Sequence, residues 1–138
     1  MKMNAYLNFG GNCAEAFRYY EKHLGGKIEN MMPFNQAPPD VKVDPNWKDK
    51  VMHARMSLGE TTLMGADTPN YQPMRSFYLS LEVDSDDEAE HLYKALADGG
   101  EIQMPMQETF FATRFGQCRD KFGTSWMVLS ARPMPAQA

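Results

Sequence analysis

NCAEAFRYYEKHLGG (residues 12–26) and SDDEAEHLYKALADGG (residues 85–100) follow the same pattern twice. Each opens on a small polar residue, Asn12 or Ser85, with a glutamate three positions on, Glu15 or Glu88. That spacing is the signature of a capped helix start. Each then places apolar residues at three- and four-residue steps, as a helix with one buried face requires: Cys13, Ala16, Phe17, Tyr20 and Leu24 in the first, Ala89, Leu92, Tyr93 and Leu96 in the second. Each ends on a glycine pair, Gly25-Gly26 or Gly99-Gly100, as expected where a helix must stop in a left-handed turn.

The flanks repeat as well. Tyr6 to Phe9 and Phe77 to Val83 alternate ahead of the helices and read as strands, and Lys27 to Met32 and Glu101 to Met104 return as strands behind them. Cap, stop and following strand recur at an offset of 73 to 74 residues (Asn12 to Ser85, Gly25-Gly26 to Gly99-Gly100). Each copy closes with a hairpin. Val51 to Leu58 turns at Gly59-Glu60 and returns from Thr61 to Gly65; Phe111 to Arg119 turns at Asp120 to Gly123 and returns from Ser125 to Ser130. The expected fold is therefore α+β: two βαβββ modules in one 138-residue domain, the first over about 4–66 and the second over about 76–131, joined by the Pro-, Asn- and Gly-rich stretch from Ala66 to Arg75. A small sheet covered by a helix on one face leaves its other face free. Paired curved mixed sheets, with helices outside, are expected to enclose a cleft between those free faces, either within a chain or across a dimer.

Composition narrows the function classes. The chain is 43% hydrophobic with a formal net charge of −4, which argues against a nucleic-acid footprint. No apolar run approaches the roughly 20 residues that span a bilayer, and no apolar segment follows Lys2 as a secretory signal would need. Cys13 and Cys118 are too few for a disulfide framework, so a cytoplasmic protein with reduced thiols is expected.

Two stretches carry a family resemblance. Tyr6 to Ala16 with Tyr19-Tyr20 and Leu24-Gly25, and Gln107 to Phe111 with Phe115-Gly116, Asp120 to Gly123 and Trp126-Met127, resemble the two signatures of PhnB-like proteins in the glyoxalase/vicinal-oxygen-chelate superfamily. The resemblance runs in order over nearly the whole chain. It implies paired βαβββ modules, a homodimer, and kinship with glyoxalases, ring-cleaving dioxygenases, fosfomycin-resistance enzymes and bleomycin-sequestering proteins. The enzymes of that superfamily hold a divalent metal with His and Glu side chains on the first and last strand of each module. By motif matching those places fall near Asn4, Met64, Tyr78 and Met127, which are poor ligands for a hard or borderline ion. No metal or other cofactor is therefore expected. The methyltransferase label that PhnB-like proteins often carry finds no Gly-rich loop after a strand here, and a phosphonate role finds no phosphate-binding loop.

His53 and Glu108 are the candidate catalytic residues. Alternation along Val51–Leu58 puts His53 and Arg55 opposite Met52, Ala54, Met56 and Leu58, and so on the face away from the helix. An imidazole there suits proton transfer near neutral pH. Glu108, read as the start of a strand beside Phe110 and Phe111, is a carboxylate among aromatics and a candidate acid or base. Tyr6, Asn8, Arg55, Tyr78, Phe110, Arg114 and Trp126 are candidate ligand contacts, with Trp126 equally placed to be core. His23 and His91 read as structural, Asp120 to Gly123 as a turn, and the proline-containing Phe34 to Lys48 as a lid or dimer contact anchored by Trp47. The tail from Pro133 is expected to be disordered. Two functions remain. One is a metal-free protein that binds a small, partly aromatic molecule, a reading favoured by the aromatics and by 12 methionines. The other is a metal-dependent enzyme that recruits His53 and Glu108.

Overall fold

In the computed structural model, which describes residues 1–132, β1 (Ala5–Phe9), α1 (Cys13–Leu24), β2 (Lys27–Pro33), β3 (Val51–Leu58) and β4 (Thr61–Asp67) are followed by β5 (Leu79–Val83), α2 (Asp86–Ala97), β6 (Glu101–Gln107), β7 (Ala112–Arg119) and β8 (Ser125–Ala131). The chain divides into two units, Met1–Gln72 and Pro73–Ala138. The tail expected to be disordered lies outside the described residues.

Each unit is a βαβββ module with a four-stranded mixed sheet, in the order β1-β4-β3-β2 in the first and β5-β8-β7-β6 in the second. The first strand of each module pairs parallel with the last, and the other pairs are antiparallel. The duplication extends to register. Tyr6, Met64, Arg55 and Asn30 are matched in one row across the first sheet, and Ser80, Met127, Gln117 and Met104 form the corresponding row in the second. Met64 and Met127 thus hold the same place in their modules.

The helices cover one face of each sheet for the reason their periodicity gives. Cys13, Ala16, Phe17 and Tyr20 of α1 are fully buried against Leu7, Phe9, Ala54, Met56 and Leu63. Ala89, Leu92, Tyr93 and Leu96 of α2 are buried with Cys118, Trp126 and Val128. The Ser85 side chain accepts from Glu88 N at 3.1 Å and caps α2 as expected. Asn12 does not cap α1. Its place is taken by Asp67 at the end of β4, whose Oδ1 accepts from Gly11 N (2.9 Å) and Cys13 N (3.0 Å) while Oδ2 accepts from Val51 N (2.9 Å). One carboxylate, 3% exposed, ties together the helix start, the end of β4 and the start of β3. The cap is tertiary, so no local motif at residues 12–15 could reveal it.

Phe34 to Lys48 is structured at both ends. Short 3₁₀ turns at Phe34–Gln36 and Pro45–Trp47 are closed by Phe34 N to Lys50 O and Asn35 N to Lys48 O, both 2.9 Å, and the Asp44 carboxylate accepts from Asn46 N. The loop returns the chain to β3 with Lys50 Nζ donating to Gly11 O at 3.1 Å.

Candidate functional site

The sheet face that α1 leaves uncovered holds the chemistry of the first unit. In β1, Leu7 and Phe9 point into the core and Tyr6 and Asn8 outward, both exposed. In β3, Ala54 and Met56 are fully buried while His53 and Arg55 are half-buried on the opposite face, as alternation predicts. The fold brings these four residues together. Tyr6 Oη lies 3.3 Å from His53 Nδ1, with ring centroids 5.8 Å apart. Partial burial, and secondarily Cys13, raise the Tyr6 hydroxyl above its ordinary 10.0, so at neutral pH it is a phenol that can donate to an Nε2-protonated imidazole. Arg55 Nη1 contacts Met64 Sδ at 3.7 Å, and its Nε sits 3.9 Å from Glu29 Oε2.

The second unit distributes its candidates differently. Tyr78, just ahead of β5, donates to Gln103 Oε1 at 2.9 Å. Phe110 is 90% exposed and meets Phe111 edge-on at 5.1 Å, and Phe111 meets Phe115 edge-on at 5.0 Å. Glu108 is not at a strand start. It lies in the connection between β6 and β7, 69% exposed at its side chain and 3.3 Å from Arg132 Nη2. Arg114 shares the α2 side of β7 with buried Gly116 and Cys118, and its Nε pairs with Glu90 of α2 at 3.1 Å. Trp126 is core: 1% exposed, with its indole N–H donating to Asp120 Oδ2 at 2.8 Å. Asp120 Oδ1 also accepts from Phe122 N and Thr124 N, both 2.9 Å. The Asp120–Gly123 turn is thus built around one carboxylate and supports the indole, the structural role its composition suggests.

Asn30 and Gln117, on the same rows as Arg55 and Met127, escaped the sequence reading. Register shifts between Ile28 and Asn30 in β2 and between Ala112 and Arg114 in β7 break the simple alternation that would have placed their rows.

The donors on these rows do not suit a divalent cation. Met64 and Met127 offer thioethers, their first-strand neighbours Tyr6 and Ser80 a protonated phenol and a hydroxyl, and the guanidinium of Arg55 lies against Met64. Thioethers select soft ions, and a fixed cation beside them opposes a second. Among the described residues no group of three or more His, Cys, Asp or Glu side chains is arranged to hold a metal.

Two helix-backed mixed sheets of βαβββ connectivity, with register matched between the copies, define a duplicated-module protein of the vicinal-oxygen-chelate fold. The chain belongs to the glyoxalase/bleomycin resistance protein/dioxygenase superfamily, whose family profile matches residues 2–128. It is 31% identical to protein YjdN of Escherichia coli (strain K12) over 147 residues, covering 99% of this chain and 100% of that protein. Among solved structures it is similar to protein PA1353 from Pseudomonas aeruginosa, with 46% identity, 94% of this chain and 97% of that chain covered, and a TM-score of 0.87. A Bacillus cereus protein described as a putative 3-demethylubiquinone-9 3-methyltransferase, PhnB protein, shares the fold at 24% identity and a TM-score of 0.79, with 95% and 100% of the two chains covered. No described helix is long and apolar enough to cross a membrane.

Proposed function

We infer that this chain binds a small organic molecule on the uncovered face of its first module, with Tyr6, Asn8, His53 and Arg55 as the contacting residues, and that it does so without a divalent metal. The observation that supports this most is the row Tyr6, Met64, Arg55. At Met64, one of the places where enzymes of the superfamily are expected to carry a metal ligand, this chain sets a thioether, with a phenol and a cation beside it in register. Rings, a thioether and a fixed charge are the means by which pockets orient organic ligands. His53, held by the Tyr6 hydroxyl, adds an imidazole to the same face. Tyr78 and Phe110 extend the reading to the second module, and a homodimer in the cytoplasm is the proposed working form.

The test is a thermal-shift screen of small organic molecules against wild type, Tyr6→Ala and His53→Ala, with the assembly state checked by sedimentation. Hits that stabilise wild type and lose that effect in both variants support the reading. Stabilisation that survives in both variants places binding elsewhere and overturns it.

A further inference from the structure

Arg55 is an unusual residue to leave on an uncovered sheet face. It is paired in register with Met64 and Asn30, and is flanked along β3 by His53. Its side chain is 40% exposed, and its contacts are one thioether at 3.7 Å and one carboxylate oxygen at 3.9 Å, beyond hydrogen-bonding range. A guanidinium carries five donors in a planar fork suited to a carboxylate, and among the described residues the fork is largely unused. The Glu29 carboxylate, approaching only Nε, is too distant to saturate it. Beside the fork lie two rings tilted by 30° to each other, Tyr6 and His53, and the polarisable thioether of Met64.

On this basis we propose that the ligand of the first module is a planar organic carboxylate. Its anionic group takes the free fork of Arg55, its flat body lies over Tyr6, Met64 and His53, and Glu29 acts as a loose internal competitor for the same guanidinium. The proposal rests on the uncovered face being the ligand surface and adds the chemical class. Charge supplies the discrimination: a neutral isostere keeps the stacking contacts but leaves the fork unpaired.

Benzoate and benzamide, equal in shape and different in charge, are the probes. Each is titrated into ¹⁵N-labelled full-length protein, and shifts of the Arg55 Nε–H and of the backbone amides of β1, β3 and β4 are followed. Benzoate is expected to bind at least fivefold more tightly than benzamide. Arg55→Gln is expected to abolish that preference, and Glu29→Gln to tighten benzoate by up to about fivefold, the strength of an exposed ion pair, with benzamide unchanged. The spectrum of each variant reports its fold directly. Equal affinity for the two probes, or a preference that survives Arg55→Gln, would overturn the carboxylate assignment and leave the binding face standing. Binding of neither probe to these strands overturns the assignment and counts equally against the binding face.

Discussion

Replacing Asp67 with alanine should destabilise the first module by about 4 kcal/mol, because its carboxylate is the shared acceptor of three backbone donors. The bonds to Cys13 N and Val51 N are buried and that to Gly11 N is part-buried. A buried donor left without a partner costs about 1–3 kcal/mol, so the two buried amides alone set a range of about 2–6 kcal/mol. Water can replace the acceptor at Gly11, and that bond adds little. Asp67→Asn separates the contributions: its carbonyl oxygen can still serve the Gly11 and Cys13 amides, but its NH2 then faces the Val51 N–H, so about half the loss is expected. Urea unfolding followed by circular dichroism gives the free energy, with an unchanged m-value showing that stability alone has moved. Hydrogen exchange at Cys13 and Val51 gives the local readout. A loss below about 1 kcal/mol for Asp67→Ala, or unchanged exchange at both amides, would show that this carboxylate does not organise the module.

Three more outcomes follow from the same packing. Trp126→Ala should cost about 3–5 kcal/mol as a core truncation, whereas His53→Ala should stay within about 0.5 kcal/mol as a surface change; comparable losses by chemical denaturation would refute the division between core and binding face. Gly65→Ala would put a methyl 2.8 Å from Phe17 Cε1 and 2.9 Å from Leu7 O, an overpacking expected to cost about 1–3 kcal/mol, and a neutral result by thermal denaturation would contradict the close seating of α1. Burial, with Asp120 second, pushes the Cys118 thiol from its ordinary 9.0 to about 11, and burial, with Asp67 second, raises Cys13 further still. A folded-state pKa above the unfolded value means that the fold holds the thiol proton more tightly. This contribution to stability is complete below pH 9 and falls as pH rises toward 11. Both thiols should resist iodoacetamide at pH 8 in the native protein and react in urea; rapid native labelling would contradict the burial, and a loss of stability between pH 9 and 11 that is no smaller in Cys118→Ala would contradict the linkage.

The fold was legible because helix signals are local. Two glycine-stopped amphipathic segments at matching offsets place the modules; the α2 face is buried residue for residue, and the α1 face in all but Leu24. The candidate site was legible where strands are regular. His53 and Arg55 sit on the face that alternation along β3 assigns them. The sequence reading failed where contacts are tertiary or register slips. Asp67 caps a helix more than fifty residues away in sequence, and the shifts in β2 and β7 hide Asn30 and Gln117. Trp126 looks the same in sequence whether it lines a ligand surface or the core. Only its hydrogen bond to Asp120 and its burial under α2 decide between them. Arg114 and Glu108 could be placed only by their ion-pair partners, Glu90 and Arg132.

Metal analysis of untagged protein purified without chelator tests most directly whether the first module binds its organic ligand without a divalent metal. Wild type, His53→Ala and Glu108→Ala should each contain far less than one equivalent of zinc, nickel, iron or manganese, before and after incubation with these ions followed by desalting. Near-stoichiometric metal in wild type, lost in either variant, would contradict the account and identify a metal-dependent enzyme with an unconventional ligand set.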